Sequence, residues 1–244
     1  MTSKLDVLIL TQPSRLLFLG QIMLGLGKQL WNHSNVNVIM RVYDKELTLG
    51  ENRNILRNKS SAEYIMFLDD DDWLAPDFFN RVMPHLHDNV DYIGFRVQCY
   101  CTHLNWTKYG ETFHSLEYGG RAAPWAREGN RFFRDLVHTN PIKRELAMQA
   151  AFDGGFGEDA RWAAKLRKLG IVKTQFYIDD VMYHYLWRAV KNDLVDAVNP
   201  TRQLLIEAIE DGGWRMWPAR PVPGESVCNL PAFGRHGRPV FPHA

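Results

Sequence analysis

The chain opens on alternating apolar and polar blocks. Leu5 to Leu10 is a nearly continuous apolar run closed by Thr11-Gln12-Pro13-Ser14, which reads as a buried strand followed by a turn. Ser14 is placed to cap a helix running to about Trp31. Val36 to Val42 predicts a second strand closed by Tyr43-Asp44, Leu49 to Ser60 a polar helix, and Tyr64 to Leu68 a third strand. Pro76 suits the first position of a helix through about His87, and Asp91 to Tyr100 is a further strand. Strands and helices alternating in this way predict an α/β fold with a right-handed, mostly parallel sheet flanked by helices.

Past Tyr100 the period is lost. Thr102 to Asp135 is irregular, mixing Trp106, Lys108, Arg121, Trp125, Arg127, Arg131 and Arg134 with Glu111, Glu117, Glu128 and Asp135. It reads either as a surface excursion of mixed charge or, since long irregular segments within compact domains are often functional, as an acceptor-binding region. Pro141 to Ala151 and Glu158 to Leu169 read as helices, the second stopped by Gly170. Lys173 to Ile178 and Val181 to Trp187 read as short strands, and Asn199-Pro200 starts a last helix ending at Asp211. The expected organisation is one domain over 1–211, in two halves (1–100 and 101–211). A tail over 212–244 holds six of the twelve prolines and four arginines against a single glutamate.

The polar residues at the strand ends carry the chemistry. In open α/β sheets ligands bind outside the carboxyl ends of the strands, where Thr11, Asp44 and Asp69 to Asp72 fall. Four consecutive carboxylates after a core strand repel one another by about 4 kcal/mol per close pair at an effective dielectric near 20. Such a cluster calls for a cation, and a divalent metal with its preference for oxygen ligands is the natural one. A second acidic pair, Glu158-Asp159, follows Gly157 and opens a helix. The two clusters together predict a metal-dependent enzyme acting on a phosphorylated donor.

Composition narrows the class without redirecting it. The 244 residues carry a formal net charge of +1, so no global field points to nucleic acid or membrane. Three cysteines, Cys99, Cys101 and Cys228, form neither a disulfide framework nor a zinc spacing. Leu16 to Leu30 is interrupted by Gln21, Lys28 and three glycines and makes a poor membrane span. A soluble, cytoplasmic protein without membrane insertion is expected.

Two stretches, Gly50-Glu51-Asn52-Arg53-Asn54 and Ala62-Glu63-Tyr64-Ile65-Met66-Phe67-Leu68-Asp69-Asp70-Asp71-Asp72-Trp73, resemble the nucleotide-binding half of family-two, GT-A-fold glycosyltransferases with their DxD motif. Gly157-Glu158-Asp159-Ala160-Arg161-Trp162 is similar to the downstream acidic pair of that family, and Tyr183-His184-Tyr185 to its histidine-bearing strand. The resemblance runs from about Leu5 to Arg188. It departs at Thr11-Gln12-Pro13-Ser14-Arg15, where the family usually has Thr-Tyr-Asn-Arg. It departs again at Tyr43-Asp44-Lys45-Glu46, a reduced form of Asp-Asp-Gly-Ser.

The resemblance implies inverting transfer of a sugar from a nucleotide-diphosphate sugar, UDP-linked by preference, with Mn2+ or Mg2+. By the same resemblance Asp71 and Asp69 hold the metal, with His184 as a third contact, and Asp159 is the general base, with Glu158 its alternate. Thr11, Arg15, Asp44, Arg53, Asn54, Asp70, His138 and Arg188 would line the donor site, and Asp70 and Asp72 would tune or extend the metal site. The acceptor is a glycan or, as in phage-type DNA modification, a hydroxymethylated base in duplex DNA. Two competing classes are a sugar-phosphate nucleotidyltransferase and a non-catalytic nucleotide-sugar binding module. The first lacks its glycine-rich phosphate loop at Thr11 to Arg15, and the second leaves Glu158-Asp159 without a task.

Overall fold

The computed structural model describes residues 3–101, 107–118 and 126–187. Its frame is a ten-stranded mixed sheet. The strands β2 (Val36–Val42), β1 (Leu5–Thr11), β3 (Tyr64–Phe67), β9 (Ile142–Lys143), β5 (Tyr92–Cys101), β6 (Thr107–His114), β8 (Arg131–Arg134) and β7 (Ala126–Glu128) follow one another across it in that order. β10 (Gln175–Trp187) lies parallel to β5 and also takes the two-residue β4 (Trp73–Leu74) antiparallel. β1 pairs parallel with β2 and β3, as the alternation predicts. The short β9 then runs antiparallel between β3 and β5 and joins the two halves.

Each buried strand feeds two cores, which is why it reads as a continuous apolar run. Leu5, Val7 and Ile9 of β1, with Tyr64 and Met66 of β3, pack with Ile22 and Leu26 of α1 (Leu16–Leu30) and Phe78 and Val82 of α3 (Phe78–Leu86). Leu8, Ile65 and Phe67 on the other face meet Leu56 of α2 (Leu49–Asn58) and Trp162 and Leu166 of α5 (Glu158–Leu169). A capping box starts α2: the Thr48 hydroxyl accepts from Glu51 N, and Glu51 accepts from Thr48 N at 2.7 Å. Gly50 lets the first turn of this helix lie against the chain at 152–153, where a Cβ would come within 2.8 Å of Asp153 N.

Several boundaries differ from the sequence reading. Ser14 caps nothing; it sits in a short 3-10 turn, Pro13–Arg15, ahead of α1. α3 starts at Phe78, past Pro76. The irregular segment contains β6, β7 and β8, whose lengthwise pairing is hidden in mixed composition. Pro141 to Ala151 is β9 followed by one helical turn, α4 (Arg144–Ala147), because Ile142 and Lys143 are taken up by pairing with β3. The two expected C-terminal strands are one strand with irregular register between Ile178 and Tyr183. The helix at Asn199 and the tail over 212–244 lie outside the described residues. Among the described residues no helix is long and apolar enough to cross a membrane.

Two buried polar groups stand where the sequence suggested only core. Asp6, 1% exposed near the start of β1, accepts hydrogen bonds from Ser3 Oγ, Asn37 Nδ2, Ser60 Oγ (2.6 Å) and the amides of Ser61 and Ala62. It ties the end of α2 to the sheet. Asp6→Ala strands those donors and should cost about 3 kcal/mol, read from urea unfolding. His114 on β6 is buried beside Asn140, whose amide nitrogen donates to Ile93 O, so Nδ1 of the imidazole donates to Asn140 Oδ1 at 2.7 Å. Burial first, and then repulsion from Arg134, push its pKa from 6.5 down to about 3. The unfolded imidazole takes a proton below about pH 6.5 that the folded one refuses until about pH 3. The stability this group contributes is therefore full above pH 6.5 and drains away as the pH falls toward 3. Between pH 7 and pH 5, wild-type unfolding free energy should drop more than that of His114→Gln.

Candidate active site

β3 ends in a tight turn, with Asp72 N donating to Asp69 O at 3.1 Å, and the four aspartate side chains leave it in different directions. Asp70, 1% exposed, accepts from Arg15 Nη1 (2.5 Å) and from Gln12 N. Asp72, equally buried, accepts from the Tyr183 hydroxyl (2.7 Å) and Leu186 N (2.8 Å) of β10. Burial and then the neighbouring Asp69 raise its pKa well above the ordinary carboxylate value. Asp72 and Asp70 therefore fasten the turn to β10 and to the start of α1. This replaces their expected part in tuning the metal site. The Tyr183 hydroxyl also accepts from Asp69 N at 3.3 Å, a pin that nothing in the sequence announced.

Asp69 and Asp71 keep the more accessible carboxylates, 28% and 14% exposed. Asp71 lies 3.6 Å from Arg15 Nη1. Asp69 accepts from Arg53 Nη2 at 2.9 Å, and Arg53 Nε donates to Glu158 at 2.8 Å. One guanidinium, delivered by α2 through β1 and β3 packing, thus joins the acidic turn to the acidic pair at the start of α5. Burial opposes the charge on Arg53, but Asp69 and Glu158 outweigh it and raise its pKa. Burial likewise opposes ionisation of Asp69, and Arg53 with His138 outweighs it, holding that carboxyl far below its usual value.

Asp159 completes the cluster. Its carboxylate is 22% exposed against 4% for Glu158, with Arg134 Nη2 at 3.3 Å. His138, 7% exposed, stands between the two acidic motifs, Nε2 at 3.6 Å from Asp69 and Nδ1 at 3.8 Å from Asp159. Both separations exceed a hydrogen bond, and neither ring nitrogen has a hydrogen-bond partner. Burial pushes the Asp159 pKa up, but Arg134, His138 and Arg53 prevail and keep it below the usual value. Of the acidic pair, Asp159 is the accessible member, and Glu158 is held by Arg53.

The other expected contacts divide. Thr11 Oγ1 is buried at the end of β1 without a hydrogen-bond partner, and the exposed Asp44 stands at the end of β2. Asn54 turns to the chain ahead of α5, where both ends of its amide are taken by the Phe152 backbone, at 2.7 and 3.0 Å. Its neighbour Asn52, unremarked in the sequence, shapes the loop after β2 by bonding Asp44 N, Asp44 O and Thr48 O. Arg188 lies outside the described residues.

His184 does not join Asp69 and Asp71 in a ligand set. Its buried ring stacks on Trp73 at 5.6 Å, with burial and Lys108 lowering its pKa to about 3. Among the described residues no group of three or more His, Cys, Asp or Glu is arranged to hold a metal ion. Asp69 and Asp71 nonetheless fit one. Mg2+ in particular commonly takes one or two carboxylates and completes its shell with water and substrate phosphates. A cavity of about 370 Å³ lined by Arg81, His85, Phe176 and Asp179 sits at the opposite end of β10 and includes none of these groups.

The glycosyl transferase family 2 model matches residues 25–153, which take in Arg53, the acidic turn and His138 and stop short of Glu158-Asp159. The chain belongs to glycosyl transferase family 2. Solved structures share the family-2 chain's fold at low identity. S. aureus TarS 1–349 in complex with UDP-GlcNAc aligns with a TM-score of 0.54 at 13% identity, covering 84% of this chain and 66% of that one. S. aureus TarS aligns at 0.53 and 15% identity, covering 84% and 39%. The TarS 1–349 complex with UDP aligns at 0.51 and 14%, covering 81% and 64%. The chain thus spans less than two thirds of the length of each of these structures. No curated protein matches its sequence.

Removing the guanidinium leaves the buried Glu158 and the partly exposed Asp69 without the partner they share. Arg53→Ala should destabilise the fold by about 3–5 kcal/mol, measured by denaturant unfolding, and Arg53→Lys should recover only part, since one ammonium cannot reproduce the two-armed contact.

Proposed function

We propose that the chain is an inverting glycosyltransferase that moves a sugar from a nucleotide-diphosphate sugar, UDP-linked by preference, to an acceptor hydroxyl. The observation that carries this reading is the single charged cluster in which Arg53 bonds both Asp69 and Glu158 while His138 stands between Asp69 and Asp159. Membership of family 2 and the UDP-GlcNAc and UDP bound to the similar TarS structures support the donor class. Asp69 and Asp71 would hold Mn2+ or Mg2+. That ion supplies charge neutralisation for the leaving diphosphate.

The residues of the chain do the rest. Arg15 fixes the turn through Asp70 and lies 3.6 Å from Asp71, at the edge where the diphosphate would bind. Thr11 and Asp44, at the ends of β1 and β2, face the nucleotide side. Asp159 takes the proton from the acceptor hydroxyl as that oxygen attacks the anomeric carbon and the bond to the diphosphate breaks. Asp159 is ionised, as a general base must be, and Arg134 orients it. Arg53 keeps Glu158 out of competition for that proton. The acceptor is a glycan or a hydroxymethylated DNA base.

Asp159→Asn should lower transfer at least about a hundredfold. Calorimetry with UDP-GlcNAc and Mn2+ should find donor affinity within about twofold of wild type. Asp71→Asn should show the reverse weakness, losing the heat of donor binding. Full turnover by Asp159→Asn would remove that residue from the role, and no donor binding by wild type with any activated sugar would end the reading.

A further inference from the structure

The segment between α4 and α5 presents one large apolar side chain to solvent. Phe156 is 86% exposed, three residues before Asp159. Its position follows from the turn that carries it. Glu158 N donates to Gly155 O at 3.2 Å, and Gly157, with φ +83° and ψ 14°, has the backbone that the third residue of a type II turn demands. Phe156 is therefore the outer corner of a Gly155–Glu158 turn that leads directly into the acidic pair.

A hydrophobic residue just ahead of a helix usually folds back onto the residue in the fourth helical position. Here that position is Arg161, and its guanidinium is used otherwise. Nε and Nη2 donate to Asp153 O (3.1 and 2.8 Å), Nη2 to Gly155 O (2.9 Å) and Nη1 to Phe156 O (3.2 Å). The loop is also anchored from α2, where Gly50 N donates to Gly154 O at 2.9 Å. The backbone under Phe156 is thus tied down on several sides while its ring stays out of the core. Burying a side chain of this size is worth about 1.5–3 kcal/mol, which this fold leaves unused. A ligand meeting a ring carried on backbone already fixed in place is spared the cost of ordering that loop.

We propose that Phe156 is the floor of an acceptor subsite and stacks against the apolar face of a sugar ring whose hydroxyl is presented to Asp159, an assignment that rests on the function proposed above. Charge favours a glycan over a nucleic acid at this place. The nearby cations Arg161 and Lys165 are engaged by loop carbonyls and Asp153, so neither is at hand for a phosphate backbone, and a neutral sugar needs neither.

The test uses the full chain as wild type, Phe156→Ala and Phe156→Tyr, with a printed array of neutral oligosaccharides probed in Mn2+ and UDP, and single-stranded oligonucleotides alongside. Wild type should retain a subset of the glycans. Phe156→Ala should weaken those by about tenfold, and Phe156→Tyr, which keeps the ring, should stay within about twofold. Calorimetric UDP affinity should be the same in all three. Glycan binding by Phe156→Ala equal to wild type would overturn the proposal. So would no glycan retained by wild type that binds UDP, or sensitivity to the substitution for oligonucleotides alone. A wild type that fails to bind UDP strikes instead at the donor-site reading.

Discussion

The Arg53 guanidinium holds the site together. It is almost fully buried and meets Asp69 from the third strand and Glu158 from the last described helix, two groups 16 and 105 residues away in sequence. A charge so placed is tolerable only when it is paired and hydrogen-bonded on more than one side. The same requirement works in reverse on the carboxylates, which would otherwise repel across the gap. Helix α2 therefore acts as an arm whose capping box and Gly50 contact set how deep the guanidinium reaches. The ring of Phe67 lies 5.0 Å from it and gives the planar cation a face to rest on.

The run of four aspartates shows how a chain can keep like charges together by dividing them among separate partners. A turn splays the side chains, and three of the four meet different donors: the Arg15 guanidinium for Asp70, a phenol and an amide for Asp72, Arg53 for Asp69. Only Asp69 and Asp71 keep open faces. Repulsion within the run is thus converted into attachment, and the number of carboxylates exceeds what a metal would need because half of them hold the turn in shape.

Much of this was legible beforehand, and for identifiable reasons. Strands buried on both faces, such as β1 and β3, advertise themselves as unbroken apolar runs, and the acidic clusters stand out against them. The pairing of Arg53 with Glu158 was not legible, because no local pattern couples residues 105 apart. Asn54 looked like a donor contact by its place beside Arg53, yet adjacent helical residues point about 100° apart, and it turns to Phe152. His184 carried a ligand-like identity but is packed against Trp73. The strands β6 to β8 escaped notice because their residues mix charge with aromatics, and only tertiary pairing makes them regular. Asp6 was passed over as a blemish in an apolar stretch, since a sequence does not reveal that five donors converge on one carboxylate.

The strap from Asp72 to β10 carries a consequence for the order of assembly. Asp72 accepts from an amide 114 positions downstream, and β10 itself must pair with β5, some 80 positions before it. Contacts of such long range are closed late and slowly. On the ribosome, the acidic turn would emerge early and wait unsecured until the residues around Leu186 had left the exit tunnel. The catalytic machinery is therefore among the last parts of the polypeptide to become rigid, and a nascent fragment holding only the first hundred residues would carry the signature motif without the shape that gives it meaning.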